Sequence, residues 1–304
     1  MSDSFATPLA RARRAGRRDT ARGLLWISPF LAGLLVFLVV PAALSLYYGF
    51  TEYSLLDEPA WTGLDNYREI ASDRLFWTAL RNTIAYAAAS VALSTVLAIG
   101  IAVLLEQRLR FRELVRAIVF VPTLVPVISG AIAWQHVFNV EHGVLNSWLR
   151  SLGVAGCDWL GDPRFAMGSL VVMSLWFIGG AVVVYSAALR DVPAGLYEAA
   201  DLDGMGRWER FWHVTLPMIS PAISFNVIMS LIWSLQVFAV PLVMTQGGPE
   251  NSTLVYAMYV FKNAFEYGRM GYASALAWVQ VLITLSLAVV AVLISRRLVH
   301  YRET

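Results

Sequence analysis

Six long apolar stretches dominate this chain, near residues 24–48, 82–105, 115–138, 166–189, 219–244 and 272–295. They contain no Asp, Glu or Lys, and Arg116, at the edge of the third, is their one arginine. An α-helix rises about 1.5 Å per residue, so roughly 20 apolar residues cross a hydrocarbon core about 30 Å thick. Backbone polar groups find no water there, and helices satisfy them internally. The pattern therefore predicts an all-α integral membrane protein with six transmembrane helices. Composition agrees: 14% of the 304 residues are charged, against about 25% in a typical soluble domain.

The basic residues set the orientation, because short loops rich in Arg and Lys stay in the cytoplasm. Arg11, Arg13, Arg14, Arg17, Arg18 and Arg22 precede the first stretch, and Arg108, Arg110, Arg112 and Arg116 join the second to the third. Arg190, Arg207 and Arg210 join the fourth to the fifth, and Arg296, Arg297 and Arg302 close the chain. The opposite side holds only Arg68, Arg74, Arg81, Arg150, Arg164, Lys262 and Arg269. Both termini are thus expected in the cytoplasm. Residues 1–23 read as a basic tail, 24–297 as the six-span domain and 298–304 as a second tail. Topology accounts for the arginine-rich start without nucleic acid. The apolar run from Leu24 exceeds the about 7–15 residues of a secretory signal core, so it reads as a span. Cys157, the single cysteine, cannot form an internal disulfide.

Several kinds of chemistry are excluded. Lys262, in "VFKNAF", is the only lysine, so a phosphate-binding Gly-Lys-Ser/Thr loop has no candidate. The stretches lack the intramembrane carboxylates that proton- and ion-coupled transporters keep for that work. Glu106 and Glu141 fall at stretch ends and read as solvated helix termini. His136 and His142 have no third ligand nearby, so no metal site is expected. With no Ser-His-Asp or HExxH arrangement either, any transport must draw its energy from another chain.

One charged segment interrupts the apolar pattern: "YEAADLDGMGRWERFWHVTLP", Tyr197 to Pro217. Asp191-Val192-Pro193 can open a helix, with Asp capping and Pro in the first turn. Gly204 is placed to end that helix, since glycine tolerates the left-handed conformation. A second helix is predicted from about Arg207, with Trp208, Phe211, Trp212 and Thr215 at i, i+3, i+4 and i+7, and Pro217 stopping it. Resting on lipid head groups is one use for such a helix pair. Small residues at Ala199, Ala200 and Gly204 favour the other, docking against a protein surface.

This segment resembles the cytoplasmic EAA loop of permease subunits in binding-protein-dependent ABC importers, which would make 191–217 a coupling loop between the fourth and fifth spans. The shared positions are Glu198, Ala199, Ala200, Gly204, Val214, Leu216 and Pro217, with Val214 standing where Ile is common. "WTGLDNY" (Trp61–Tyr67), "GVLNSWL" (Gly143–Leu149), "TQGGPENST" (Thr245–Thr253) and "MGYASALAW" (Met270–Trp278) resemble segments of the sugar permeases of that family. The likeness is nearest the maltose-, multiple-sugar- and glycerol-phosphate-type permeases, and the partner that carries the GGP loop.

The resemblance implies a type I ABC importer permease in a prokaryotic inner membrane, moving a sugar or oligosaccharide delivered by an extracytoplasmic binding protein. Glycerol phosphate or a polyamine is the alternative solute. It implies a second homologous permease and two ATPase subunits, which would bind ATP and Mg; this chain would bind no cofactor. Glu198, Ala199, Ala200, Asp201, Gly204, Leu216 and Pro217 would couple to the ATPase, with the aromatics Trp208, Phe211 and Trp212 bracing the loop on its own spans. Leu216-Pro217 also reads simply as a helix end re-entering the membrane. By the same analogy Trp176, Gly179, Gly180, Asn226, Ser230, Trp233, Ser234, Gln236 and Val237 would line the solute path. An aromatic platform with hydroxyl and amide partners suits a sugar, while small polar residues in spans also serve helix packing.

Overall fold

A computed structural model describes residues 23, 25–54, 56–107 and 110–298. The basic tail up to Arg22, Leu24, Arg108, the Arg297 side chain and the stretch 299–304 with Arg302 lie outside the described residues.

Among the described residues, three helices are each long and apolar enough to cross a membrane: α1 (Leu25–Tyr48), α3 (Arg74–Leu105) and α14 (Met270–Leu298). Three bent pairs pass the same test, bringing the total to as many as six if each pair is one span. They combine Arg112–Leu124 with Val127–Val137, Pro163–Phe177 with Gly179–Arg190, and Arg207–Met218 with Ser220–Leu235. We label their helices α4 (Arg112–Phe120) and α5 (Val127–Val137), α7 (Pro163–Ser174) and α8 (Gly179–Arg190), α10 (Arg207–Met218) and α11 (Ser220–Leu235). Shorter helices fill the connections: α2 (Asp65–Ser72), α6 (Val144–Ser151), α9 (Ala194–Leu202), α12 (Ala239–Met244) and α13 (Tyr256–Phe261). Among the described residues the only strands are a two-stranded antiparallel pairing of Thr51–Glu52 with Ala60–Trp61, Thr51 opposite Trp61.

The bends have local causes. The third apolar stretch turns by 106° because Val125 precedes Pro126 and adopts extended angles, φ −79° and ψ 131°. A proline's ring bars the residue before it from helical conformation. The fifth stretch, expected as one run over 219–244, ends its helix at Leu235 and resumes at Ala239. Pro241 explains the gap: its ring clashes with the carbonyl four residues back, at Val237. Pro217, by contrast, does not stop α10, which runs on to Met218. A π turn over Phe211–Thr215 lies just ahead of the proline and accommodates its missing N–H.

α3 is the spine of the bundle. Phe76 and Ala79 belong to a core with Ile70, Tyr256, Met258, Tyr259 and Leu276. Tyr86 enters a middle core with Ala131, Phe138, Leu170 and Met173. Ala98, Ile99, Ala102 and Leu105 form a third core with Val182, Tyr185, Val192 and Ile219. α1 has no buried residue, although its last turns pack against α14, and Trp26, Phe30 and Phe37 stand exposed.

One end of the bundle is knotted by hydrogen bonds. Asn66 donates to the carbonyls of Gly49 and Thr51 at 3.1 and 2.9 Å, fixing the end of α1. The Gly271 N–H donates to Tyr53 O at 3.0 Å. α14 approaches so closely there that a Cβ on Gly271 would lie 2.1 Å from Thr51 O. Asn82 donates to Asn251 O and Leu254 O, tying the 245–253 loop to α3. The ends of α1 and the starts of α3 and α14 therefore meet. The ends of α3 and α8 and the starts of α4 and α9 gather at the other end.

Candidate functional site

A cavity of about 710 Å³ opens midway along the bundle between α3, the α7–α8 bend and α11. Of the residues the sequence assigns to a solute path, Gly180, Asn226, Ser230, Trp233, Ser234 and Val237 line it. Trp176, Gly179 and Gln236 do not. Trp176 instead packs edge-on against Trp134 and Phe177. Gly179 is buried, and a Cβ there would lie 2.5 Å from Val119 O, so it serves close helix contact. Gln236 follows the last turn of α11 and faces outward.

The cavity also gathers residues the sequence reading passed over: Tyr86, Ser90 and Ser94 from α3, Thr123, and Ser174. Tyr86, Ser90 and Ser94 recur every four residues, a polar stripe on an apolar helix that periodicity alone could have flagged. None of the described lining residues is Asp, Glu, Lys, Arg or His. The hydroxyl protons are largely spent: Ser90 donates to Tyr86 O at 2.7 Å, Ser174 to Val171 O at 2.6 Å, and Ser234 to Leu231 O at 3.0 Å. Asn226 donates to Ala222 O at 3.1 Å. A hydroxyl oxygen keeps acceptor lone pairs after donating. The wall is thus uncharged, rich in acceptors and apolar between them, with Trp233 standing 70% exposed.

The charged segment forms the expected helix–turn–helix. α9 starts at Ala194 behind Pro193 with no side-chain cap, and Asp191 instead finishes α8, its N–H donating to Ala187 O at 3.2 Å. Its end is a complete Schellman motif: Met205 N–H donates to Ala200 O at 2.9 Å and Gly204 N–H to Asp201 O at 3.1 Å. Gly204 has φ +73°, the left-handed region that favours glycine. α10 then starts with Glu209 accepting from the Gly206 N–H at 2.9 Å, the reach-back half of a capping box.

Within this hairpin Asp201 pairs with Arg210 across the turn, and Tyr197 Oη lies 3.2 Å from Thr215 Oγ1. Ala200 is buried, while Glu198 and Ala199 face outward beside Leu202, which is 90% exposed. Leu216 and Pro217 are half-buried, Leu216 against the core around Leu105 and Ile219. Phe211 joins that core as well, but Trp208 and Trp212 remain exposed. Bracing on the spans therefore falls to Phe211, and the two tryptophans are left outward. Leu202 went unremarked in the sequence, although an apolar residue among Asp201, Asp203 and Glu198 is its own signal.

The two carboxylates at the ends of α3 differ in surroundings. Asp73 caps the helix, accepting from Leu75 N at 2.8 Å. It also accepts from Tyr272 Oη at 2.7 Å and from Tyr259 Oη. Burial pushes its carboxyl up, but these hydroxyl and backbone donors outweigh that and hold it below the usual carboxylate range. Burial, then the bond to Asp73, pushes the Tyr259 hydroxyl up to about 12, so it stays a donor. Glu106 follows α3 and is ringed by arginines rather than solvated, a correction to its sequence reading.

Comparisons with known proteins agree with this architecture. Residues 98–300 match the family model described as binding-protein-dependent transport system inner membrane component. The chain is 35% identical to a probable ABC transporter permease protein, YesP, of Bacillus subtilis, over 100% of this chain and 99% of that one. It is 33% identical to the trehalose/maltose transport system permease protein MalF of Thermococcus litoralis, over 92% of this chain and 95% of that one. A chain in the crystal structure of a bacterial ABC transporter involved in import of the acidic polysaccharide alginate shares the fold. It has a TM-score of 0.83 at 23% identity, covering 95% of this chain and 100% of that one. With its apolar helices, central cavity and charged helical hairpin, the chain belongs to the family of inner-membrane components of binding-protein-dependent transport systems.

Proposed function

We propose that this chain is one permease half of an ATP-driven importer that carries a neutral sugar or oligosaccharide across the inner membrane. The observation that carries the solute class is the cavity wall: no charge, hydroxyl and amide acceptors, and an exposed Trp233. A saccharide offers hydroxyl donors at its edges and apolar C–H faces for an aromatic ring. Gly180, Asn226, Ser230, Ser234 and Val237 complete the path, with Tyr86, Ser90 and Ser94 opposite. The trehalose/maltose name of one relative supports the same class.

Each bent pair then counts as one of six crossings, and both termini lie in the cytoplasm together with the α9–α10 hairpin. Glu198, Ala199 and Leu202 form the face that docks on an ATPase subunit, Asp201 stiffens the hairpin through Arg210, and Gly204 makes its turn. Leu216 and Pro217 anchor it to the spans. ATP and Mg bind the two ATPases, a second permease completes the pathway, and an extracytoplasmic binding protein delivers the solute.

Calorimetry on the binding protein that partners this transporter, against neutral disaccharides, a sugar acid, glycerol phosphate and a polyamine, tests the solute class. Binding of a neutral saccharide is expected. Exclusive binding of the anions or the polyamine would overturn it.

A further inference from the structure

Glu106 ends α3 with a side chain only 21% exposed, and arginines from two other elements converge on it. Arg112 Nη2 donates to both carboxylate oxygens at 2.7 Å, and Arg190 Nε donates to them at 3.1 and 3.2 Å. Arg116 Nη2 stands 3.6 Å away. The carboxylate sits at the negative end of the α3 dipole, where a lone anion is disfavoured; the arginines are what keep it there. Arg112 and Arg190 depend on it in turn, while Arg116 also donates to Glu113 at 3.1 Å. Arg112 Nε and Arg116 Nη2 are buried without a hydrogen-bond acceptor among the described residues, so removing Glu106 leaves crowded like charges.

α4 makes the dependence acute. Phe111 just before it, and Leu114 and Ile118 within it, are 65, 59 and 62% exposed, and α4 holds no fully buried residue. Its polar face, through Arg112 and Arg116, is the one aimed at Glu106. Glu106 also borders a cleft of about 660 Å³ whose other wall is the hairpin, through Tyr197, Arg210, Phe211 and Thr215.

We infer that Glu106 is a positioning residue for transport: an ionic joint that holds α4 and α8 to the end of α3, so that the hairpin moves the three as one body. This rests on the permease reading above, in which the hairpin is driven by an ATPase.

The test uses the assembled transporter, with partner permease and ATPases, in lipid nanodiscs. Spin labels are placed in a Cys157→Ser background at Leu104 with Leu114, Leu104 with Ala187, and Leu104 with Trp212, an exposed hairpin position away from the docking face. Distances are measured without nucleotide and after trapping with ATP and vanadate. The joint predicts that the first two distances stay fixed while the third shifts. In Glu106→Gln the first two should broaden or shift on trapping. In Arg190→Gln, which spares the Arg112 pair, only the Leu104–Ala187 distance should do so. Glu113→Gln, at the exposed partner of Arg116, should behave as wild type. Unchanged distances in both Glu106→Gln and Arg190→Gln would overturn the joint and leave the permease reading standing. No shift of the Leu104–Trp212 distance in the otherwise unsubstituted transporter would overturn the driven hairpin, and the joint with it.

Discussion

The two ends of α3 solve one problem in opposite ways. At its start Asp73 sits where the helix dipole favours an anion, and neutral donors from Tyr259, Tyr272 and the Leu75 N–H satisfy it. At its finish Glu106 sits where the dipole opposes an anion, and charged donors from Arg112 and Arg190 are needed. The first end is packed backbone to backbone, with Gly271 seated on Thr51. The second is held by long side chains beside a cleft and an exposed hairpin. Neutral bonds and close backbone contact make an anchor at one end, whereas ion pairs from long side chains bordering open space clamp three helix ends together at the other.

The largest predicted effect lies at the anchored end. Gly271→Ala sets a methyl group 2.1 Å from a backbone oxygen, and overpacking of that kind costs about 3 kcal/mol. Thermal unfolding in detergent should show it. Gly180→Ala is the contrast, because nothing lies within 4 Å of its Cβ position; its stability should match wild type. A Gly271→Ala protein as stable as wild type would break the distinction between the two ends.

Glu106→Gln comes next. Breaking a buried pair costs about 3–5 kcal/mol and an exposed one about 0–1; a half-buried hub should lose about 2 kcal/mol. Tyr259→Phe removes one donor from Asp73 and should cost about 1.5 kcal/mol, since bonds to charged groups are the stronger kind. Acid titration sharpens the same point. Asp73 is held below its ordinary value, so its contribution is complete above the unfolded value of about 3.9 and fades as pH falls through the folded one. Stability should drop on acidification below about pH 4, and Asp73→Asn should remove that part of the drop. Smallest of all, Asp201→Asn loses a pair whose carboxylate is 62% exposed and should cost less than about 1 kcal/mol.

The sequence carried the long apolar helices, because uncharged runs of that length have few other uses, and it carried the hairpin, because Gly204 and the 3.6-residue periodicity are local signals. The bends were less legible. Pro122, Pro126 and Pro241 are visible in the chain, yet whether proline breaks a helix or is absorbed by a π turn, as before Pro217, depends on neighbouring turns. Asn66, Asn82 and Asn146 look alike on paper and each ties distant backbone together, Asn146 accepting from Cys157 N and Trp159 Nε1. The Glu106 hub was hidden for the same reason, since Arg190 lies 84 residues away. Along the cavity, Gly180 and Gly179 are adjacent in sequence but one opens into space and the other is pressed against α4's end, a difference only packing decides.

ATP-driven uptake of the saccharide that calorimetry identifies, by the assembled complex in proteoliposomes, tests the central claim most directly. Glu198→Ala and Leu202→Glu change exposed side chains, so stability should stay within about 0.5 kcal/mol of wild type. The account predicts that uptake is lost in both while the folded subunit persists. Full ATP-driven uptake by both variants would contradict it.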